Sequence, residues 1–180
     1  MMADPRIELW ALDEVHFQQH GSRCRMWVPP EVRDPVCLHH PTRKQAGYFG
    51  AVRLSDGRFY YRREPRPFNA RSCWDFLRAL RRACRHSRRR VIVILDNARF
   101  HHALLHQAWR EKAASGFALD FLPPYSPELN PIERVWKLTR RLCLHNRYFP
   151  VLDELIDDVE EQFDRWRYGS HTLRRLCAIT

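Results

Sequence analysis

Lysine is almost missing from this chain: three of its 31 basic residues are Lys and the rest are Arg. A GC-rich genome produces that bias without selection for binding, so basicity alone does not establish a nucleic-acid partner. No C-x-x-C pair occurs. The six cysteines (Cys24, Cys37, Cys73, Cys84, Cys143 and Cys177) are scattered, which excludes a zinc ribbon and a dense disulfide framework. Cys37 with His39 and His40 lacks a second half at ligand spacing and reads as a loop rather than a zinc site. No apolar stretch approaches the roughly 18 residues of a bilayer span, and Asp4, Arg6 and Glu8 stand where a signal peptide needs an apolar run. A soluble, cytoplasmic protein is expected. Internal repeats, low-complexity tracts and linkers are lacking too, so 180 residues at 44% hydrophobic read as a single domain with a real core.

The net charge of +10 is unevenly placed. Residues 151–164 hold seven acids and no Lys or Arg, leaving 14 acids against 31 bases elsewhere. A surface that basic attracts a polyanion.

Ile7 to Asp13 alternates in the strand period, with Ile7, Leu9, Ala11 and Asp13 on one face. Further strands are predicted for Arg25 to Val28, Tyr48 to Leu54 and Arg58 to Arg62, the last two joined through Ser55-Asp56-Gly57, a hairpin signal. From about Ala70 the period becomes helical, with Cys73, Phe76, Leu77, Leu80 and Cys84 as an apolar stripe and Arg78, Arg81, Arg82 and Arg85 on the other side. Val91 to Leu95 is an unbroken apolar run of the kind buried on both faces of a sheet, ending at Asp96. A helix from about His101 to Ala114 and a strand from Phe117 to Leu122 follow. Asn130 then reads as an N-cap, Pro131 as the first helical residue and Glu133 as the capping-box acid of a helix that buries Ile132, Val135, Trp136, Leu142 and Cys143. The last helix spans about Val151 to Trp166, its seven acids opposite an apolar stripe and not catalytic. Antiparallel strands first and strand-helix alternation second imply an α/β fold with a mixed sheet.

Three acids stand out by position. Asp13 continues an apolar row, where a carboxylate loses hydration unless a cation or donors replace the water, or else it caps a turn. Asp96 sits at a strand's carboxyl end with the same two readings. Glu133 is a cap, or a partner of Lys137, or a carboxylate held in place by the turn before it. Converging, the three could hold Mg²⁺ or Mn²⁺, which prefer oxygen ligands; two such ions suit an in-line phosphoryl transfer.

The stretches "ALDEVHF", "YFGAVRLSDGRFYY", "VIVILDNARFHHA" and "FLPPYSPELNPIERVWK" resemble, in that order, the catalytic domain of DDE transposases from the bacterial insertion-sequence branch of the mariner superfamily. The resemblance runs from about Leu9 to Cys177. It implies a ribonuclease H-like integrase fold, a five-stranded sheet with helices on both faces, and an acidic triad on Asp13, Asp96 and Glu133. The implied reaction depends on Mg²⁺ or Mn²⁺: water cleaves the phosphodiester at a transposon end, and the freed 3′-hydroxyl attacks target DNA. It needs no Ser, Cys or His nucleophile. Arg99, Lys137, Arg140 and Arg141 are candidate contacts to DNA phosphates. His101 and His102 stay outside the core site, and Trp136 belongs to the core.

Full-length relatives carry helix-turn-helix domains ahead of the catalytic part, whereas here the first acid of the triad arrives at position 13. A separately encoded helix-turn-helix part or a truncated remnant would account for that, and a homodimer and association with the nucleoid are compatible with either. Two other functions share the motifs: an idle DNA-binding module, and a nuclease of the same fold acting on another substrate.

Overall fold

A computed structural model of the chain describes residues 4–21, 23–25, 27–32, 36, 38 and 42–178. Five strands form one mixed sheet, β1 (Ile7–Gln18), β2 (Gln45–Arg53), β3 (Phe59–Glu64), β4 (Arg90–Leu95) and β5 (Phe117–Phe121), in the order β3-β2-β1-β4-β5. β1 is central, antiparallel to β2 and parallel to β4. It is five residues longer than its predicted row. Pairing with β2 continues to Gln18, whereas pairing with β4 stops at Ala11 opposite Ile94. Beyond Ala11 the sheet therefore opens on one side of β1, and Asp13 stands inside the strand at that opening rather than at its end. The hairpin between β2 and β3 turns at Gly57, whose φ of +71° suits a residue without Cβ.

Helices cover both faces. On one lie α1 (Ala70–Ala83) and α2 (Gln107–Ala113); on the other lie α3 (Ile132–Thr139), α4 (Leu152–Arg165) and α5 (His171–Leu176). α1 starts where predicted because Asn69 accepts from the backbone N–H of Arg71 and Ser72, and its stripe of Cys73, Phe76, Leu77 and Leu80 is buried against Trp10, Leu12 and Phe49. Along β1 the even residues Trp10 and Leu12 meet the α1 side while Ala11, Val15 and Phe17 meet α3 and α4. Among the described residues no helix is long and apolar enough to cross a membrane.

Several expectations need correction. β4 is not buried on both faces: Val91, Val93 and Leu95 are buried while Ile92 and Ile94 are half-exposed. The core beneath α3, α4 and α5 draws its strand residues from β1, β2 and β3, so that layer does not extend over β4. The helix expected from His101 is broken into two 3₁₀ turns, Arg99–His102 and Leu104–His106, before α2. Ala103 between them is extended (ψ 138°), and His101 and His106 on either side are buried. Leu142 is 49% exposed, because the backbone after α3 widens into a π-type turn over Arg140–Leu144 that rotates the stripe; Leu138 and Thr139 are buried instead. Arg25, Trp27 and Val28 belong to no strand, and Met26 lies outside the described residues, as do Cys37, His39 and His40.

Candidate active site

Asp13 and Glu14 are consecutive in a strand, so their side chains leave the sheet on opposite faces. Asp13 turns toward α3. Its register partner on β2 is Gly50, where a Cβ would lie 2.3 Å from Cη2 of Trp136. The missing side chain leaves room for the indole, and Nε1 of Trp136 donates to Oδ2 of Asp13 at 3.0 Å. Burial, with smaller additions from the charges of Glu133 and Asp96, pushes the Asp13 carboxyl up to about 7 despite that bond.

Asp96 directly follows β4. Carrying the parallel register two residues past Ala11 and Ile94 sets it level with Asp13. Its Oδ1 accepts from the backbone N–H of Ala98 at 3.0 Å and lies 3.1 Å from Nε2 of His101. Contact with His101, then the Ala98 bond, holds its carboxyl below the ordinary range against the opposing effect of burial.

Glu133 stands in the first turn of α3, and the predicted capping box does not form. Helical bonding begins at Ile132, one residue later than expected. Oδ1 of Asn130 reaches the N–H of Ile132 only at 3.5 Å, while its Nδ2 donates to the carbonyl of Leu12 at 3.0 Å. Asn130 therefore ties the start of α3 to the residue before Asp13. Among the described residues no ion pair joins Glu133 to Lys137. Among the described residues its carboxylate makes neither a cap bond nor an ion pair.

Sequence reasoning missed what lies behind Asp96. His101 is fully buried, with Nδ1 3.3 Å from Sγ of Cys73 and Nε2 3.5 Å from Oε1 of Glu14. Among the described residues neither Oε1 of Glu14 nor Nε2 of His101 has an aligned hydrogen-bond partner. Burial, then the nearby charges of Asp13 and Asp96, pushes the Glu14 carboxyl well up, and burial pushes the Cys73 thiol up. The signal was the even row Trp10, Leu12, Glu14, which is apolar because the central strand is covered on both faces. His102 is exposed; it meets Oδ1 of Asn97 at 3.2 Å and stacks on Phe121.

The four predicted basic contacts do not form one patch. Arg99 and Lys137 are exposed, Arg140 lies over the ring of Phe17 at 5.5 Å, and Arg141 lines a shallow cavity with His171 and Arg175 beside α5. Among the described residues no three His, Cys, Asp or Glu side chains close into a metal cage. The donor set nevertheless suits a hard cation. Asp13, Asp96 and Glu133 offer oxygen only, and their charges act on one another; ions of this class take water and phosphate in their remaining positions.

A family model described as DDE superfamily endonuclease matches residues 8–156. A Sinorhizobium fredii (strain NBRC 101917 / NGR234) protein described as uncharacterized protein y4pE/y4sA is 40% identical over 66 residues, covering 37% of this chain and 45% of its own. Among solved structures, the Mos1 Strand Transfer Complex matches with a TM-score of 0.64 at 22% identity over 96% of this chain and 50% of that one. The Mos1 mariner paired end complex with Mn matches at 0.65, 20% identity, 94% and 51%. These likenesses show the ribonuclease H-like fold of transposase and integrase catalytic domains. The chain spans about half the length of the relatives it matches.

Proposed function

The chain belongs to the DDE superfamily endonucleases, and from that premise we propose that it is the catalytic domain of a transposase, cleaving DNA at transposon ends and joining the freed 3′ end to target DNA. One observation carries the proposal. Asp13 on β1 and Asp96, directly after β4, each lie two residues past the last register pair of these parallel strands, where the sheet opens, and Asn130 ties the helix bearing Glu133 to the residue before Asp13 through the Leu12 carbonyl.

Mg²⁺ or Mn²⁺, two ions in this proposal, would be held by Asp13, Asp96 and Glu133. A bound divalent cation supplies Lewis acidity to the phosphodiester and lowers the proton affinity of the attacking hydroxyl. The rest is the work of the side chains. Trp136 fixes the direction of Asp13, and the Ala98 N–H with His101 fixes Asp96. In cleavage a water oxygen bonds to phosphorus and the bond to the 3′ oxygen breaks; in joining, that 3′-hydroxyl attacks a second phosphodiester and displaces another 3′ oxygen. Cys73 is unsuited as a nucleophile, since burial keeps its thiol protonated. Such an enzyme acts on chromosomal DNA in the bacterial cytoplasm, with Arg99, Lys137 and Arg140 as candidate phosphate contacts.

Mn²⁺ titration by calorimetry tests the site. Wild type should release or absorb binding heat that Asp96→Asn lacks, and equal heats from both proteins would remove Asp96 from the site.

A further inference from the structure

At the end of the sheet away from the acids lies a groove of about 730 Å³ lined by Arg78, Arg81, Arg82, Arg85, Arg88, Arg89 and Arg90. One continuous stretch, residues 78–90, delivers them, running from the last turns of α1 through the turn after it to the first residue of β4. Trp109 of α2 and Gly116 with Phe117 at the start of β5 form the opposite wall. Arg90 opens β4 and Asp96 follows its last residue, so at about 3.3 Å per residue the groove lies roughly 20 Å from the triad.

All seven arginines are exposed, and among the described residues none meets a carboxylate within ion-pair distance. The carboxylate beneath the groove, Glu8, is buried and already engaged by Trp10, Arg53 and Ser87. Elsewhere some bases do meet carboxylates: Arg147 pairs with Asp158, Arg63 with Glu160 and Arg165 with Glu161. Genome composition explains many arginines, but not seven within thirteen residues that line one groove without one acid among them. Some are also held in place: Arg81 lies over the ring of Trp109 at 5.7 Å, Arg78 over Trp74 at 5.3 Å, and Arg90 donates to the Ala114 carbonyl at 3.2 Å.

We infer that this groove binds the phosphate backbone of duplex DNA, independently of sequence, at a distance from the cleaved bond. The choice of DNA rests on the transposase reading; the choice of a polyanion rests on the groove itself. Guanidinium groups suit phosphate through paired N–H donors, and neutralised phosphates release counterions, so a salt dependence reports their number. A separation of roughly 20 Å corresponds to about six base pairs at 3.4 Å each. The duplex whose phosphodiester lies at the acids can therefore reach the groove.

The test is binding of a labelled 40-base-pair duplex to the full chain across a salt series. Arg82, Arg85, Arg88 and Arg89, of which Arg85 donates to the exposed neighbouring His86 at 3.0 Å, are changed together to Gln, and in a second protein to Lys. A control changes Arg165, Arg167, Arg174 and Arg175 to Gln for the same loss of charge. The Gln groove variant should bind about tenfold or more weakly, with the slope of log K against log salt reduced by about 3. The Lys variant and the control should stay within about half a unit of the wild-type slope. An unchanged slope in the groove variant, or an equal drop in the control, overturns the assignment, and so does a duplex RNA that shows the groove-dependent slope when DNA does not. If wild type fails to nick DNA yet the groove-dependent slope persists, the transposase reading falls and the groove stands.

Discussion

Nε1 of Trp136, an indole buried to 1% exposure, donates to Oδ2 of Asp13 at 3.0 Å. A ring that fills the core and a carboxylate at the mouth of the sheet thus share one bond, so packing and chemistry can be separated by substitution. Trp136→Phe keeps an aromatic ring and removes the donor. Nicking should fall by about tenfold or more while the melting temperature falls by only a few degrees, since one hydrogen bond contributes about 0.5–1.5 kcal/mol. Gly50→Ala pushes a methyl into the same ring and should lower both, the melting temperature by about 5 °C.

Asn130 makes its bond to Leu12 through the amide nitrogen. Asn130→Asp keeps an oxygen for the Ile132 N–H and loses the donor. Activity should drop by about tenfold or more for a stability loss of about 1–3 kcal/mol, because a buried carbonyl is left unpaired and Glu133 loses its anchor to β1. Thermal melting beside single-turnover nicking checks this; parallel losses in Asn130→Asp and in a core variant such as Val135→Ala would show that the bond is only structural.

His101 backs Asp96, and Glu14 backs His101. His101→Ala should raise the Mn²⁺ concentration needed for half-maximal nicking by about tenfold or more, an effect that lost packing alone does not produce. Glu14→Gln replaces a buried carboxyl oxygen that lacks a partner, so its melting temperature should rise by about 2–4 °C.

His106 provides a pH dependence. Its Nε2 lies 2.8 Å from the Phe100 carbonyl, its Nδ1 has no partner, and burial holds its pKa below the ordinary 6.5. The folded state therefore keeps the ring neutral where the unfolded chain begins to protonate it. Its contribution is complete above pH 6.5 and is lost as pH falls through the lower folded value. Urea midpoints measured from pH 7.5 downward should decline more steeply for wild type than for His106→Gln.

Strand and helix periods carried much of the fold: each of the five strands that form was predicted, and α1 begins at Ala70 as its stripe requires. What one sequence could not show arises between elements. The exposure of Leu142 depends on a π-type turn, and the break at Ala103 depends on two histidines that bury themselves. Asp96 and Glu133 were legible as a strand end and a helix start, and Asp13 as the acid that continues an apolar row, although β1 runs on past it to Gln18. Gly50 opposite Asp13 and Asn130 on Leu12 are contacts across 37 and 118 residues of chain, and His101, near Asp96 in sequence, is buried by Cys73, 28 residues away; only folding brings these together. Glu14 was overlooked because its row points to the face away from the triad.

The central claim is that Asp13, Asp96 and Glu133 act together on a phosphodiester. Nicking of supercoiled plasmid by the purified chain in Mg²⁺ or Mn²⁺ tests it most directly, with Asp13→Asn, Asp96→Asn and Glu133→Gln in parallel. Metal-dependent nicking by wild type, reduced about a thousandfold or more in each variant while circular dichroism melts stay within a few degrees, is the predicted result. Nicking that persists at the wild-type rate in any of the three, or that proceeds equally in chelator, would contradict it.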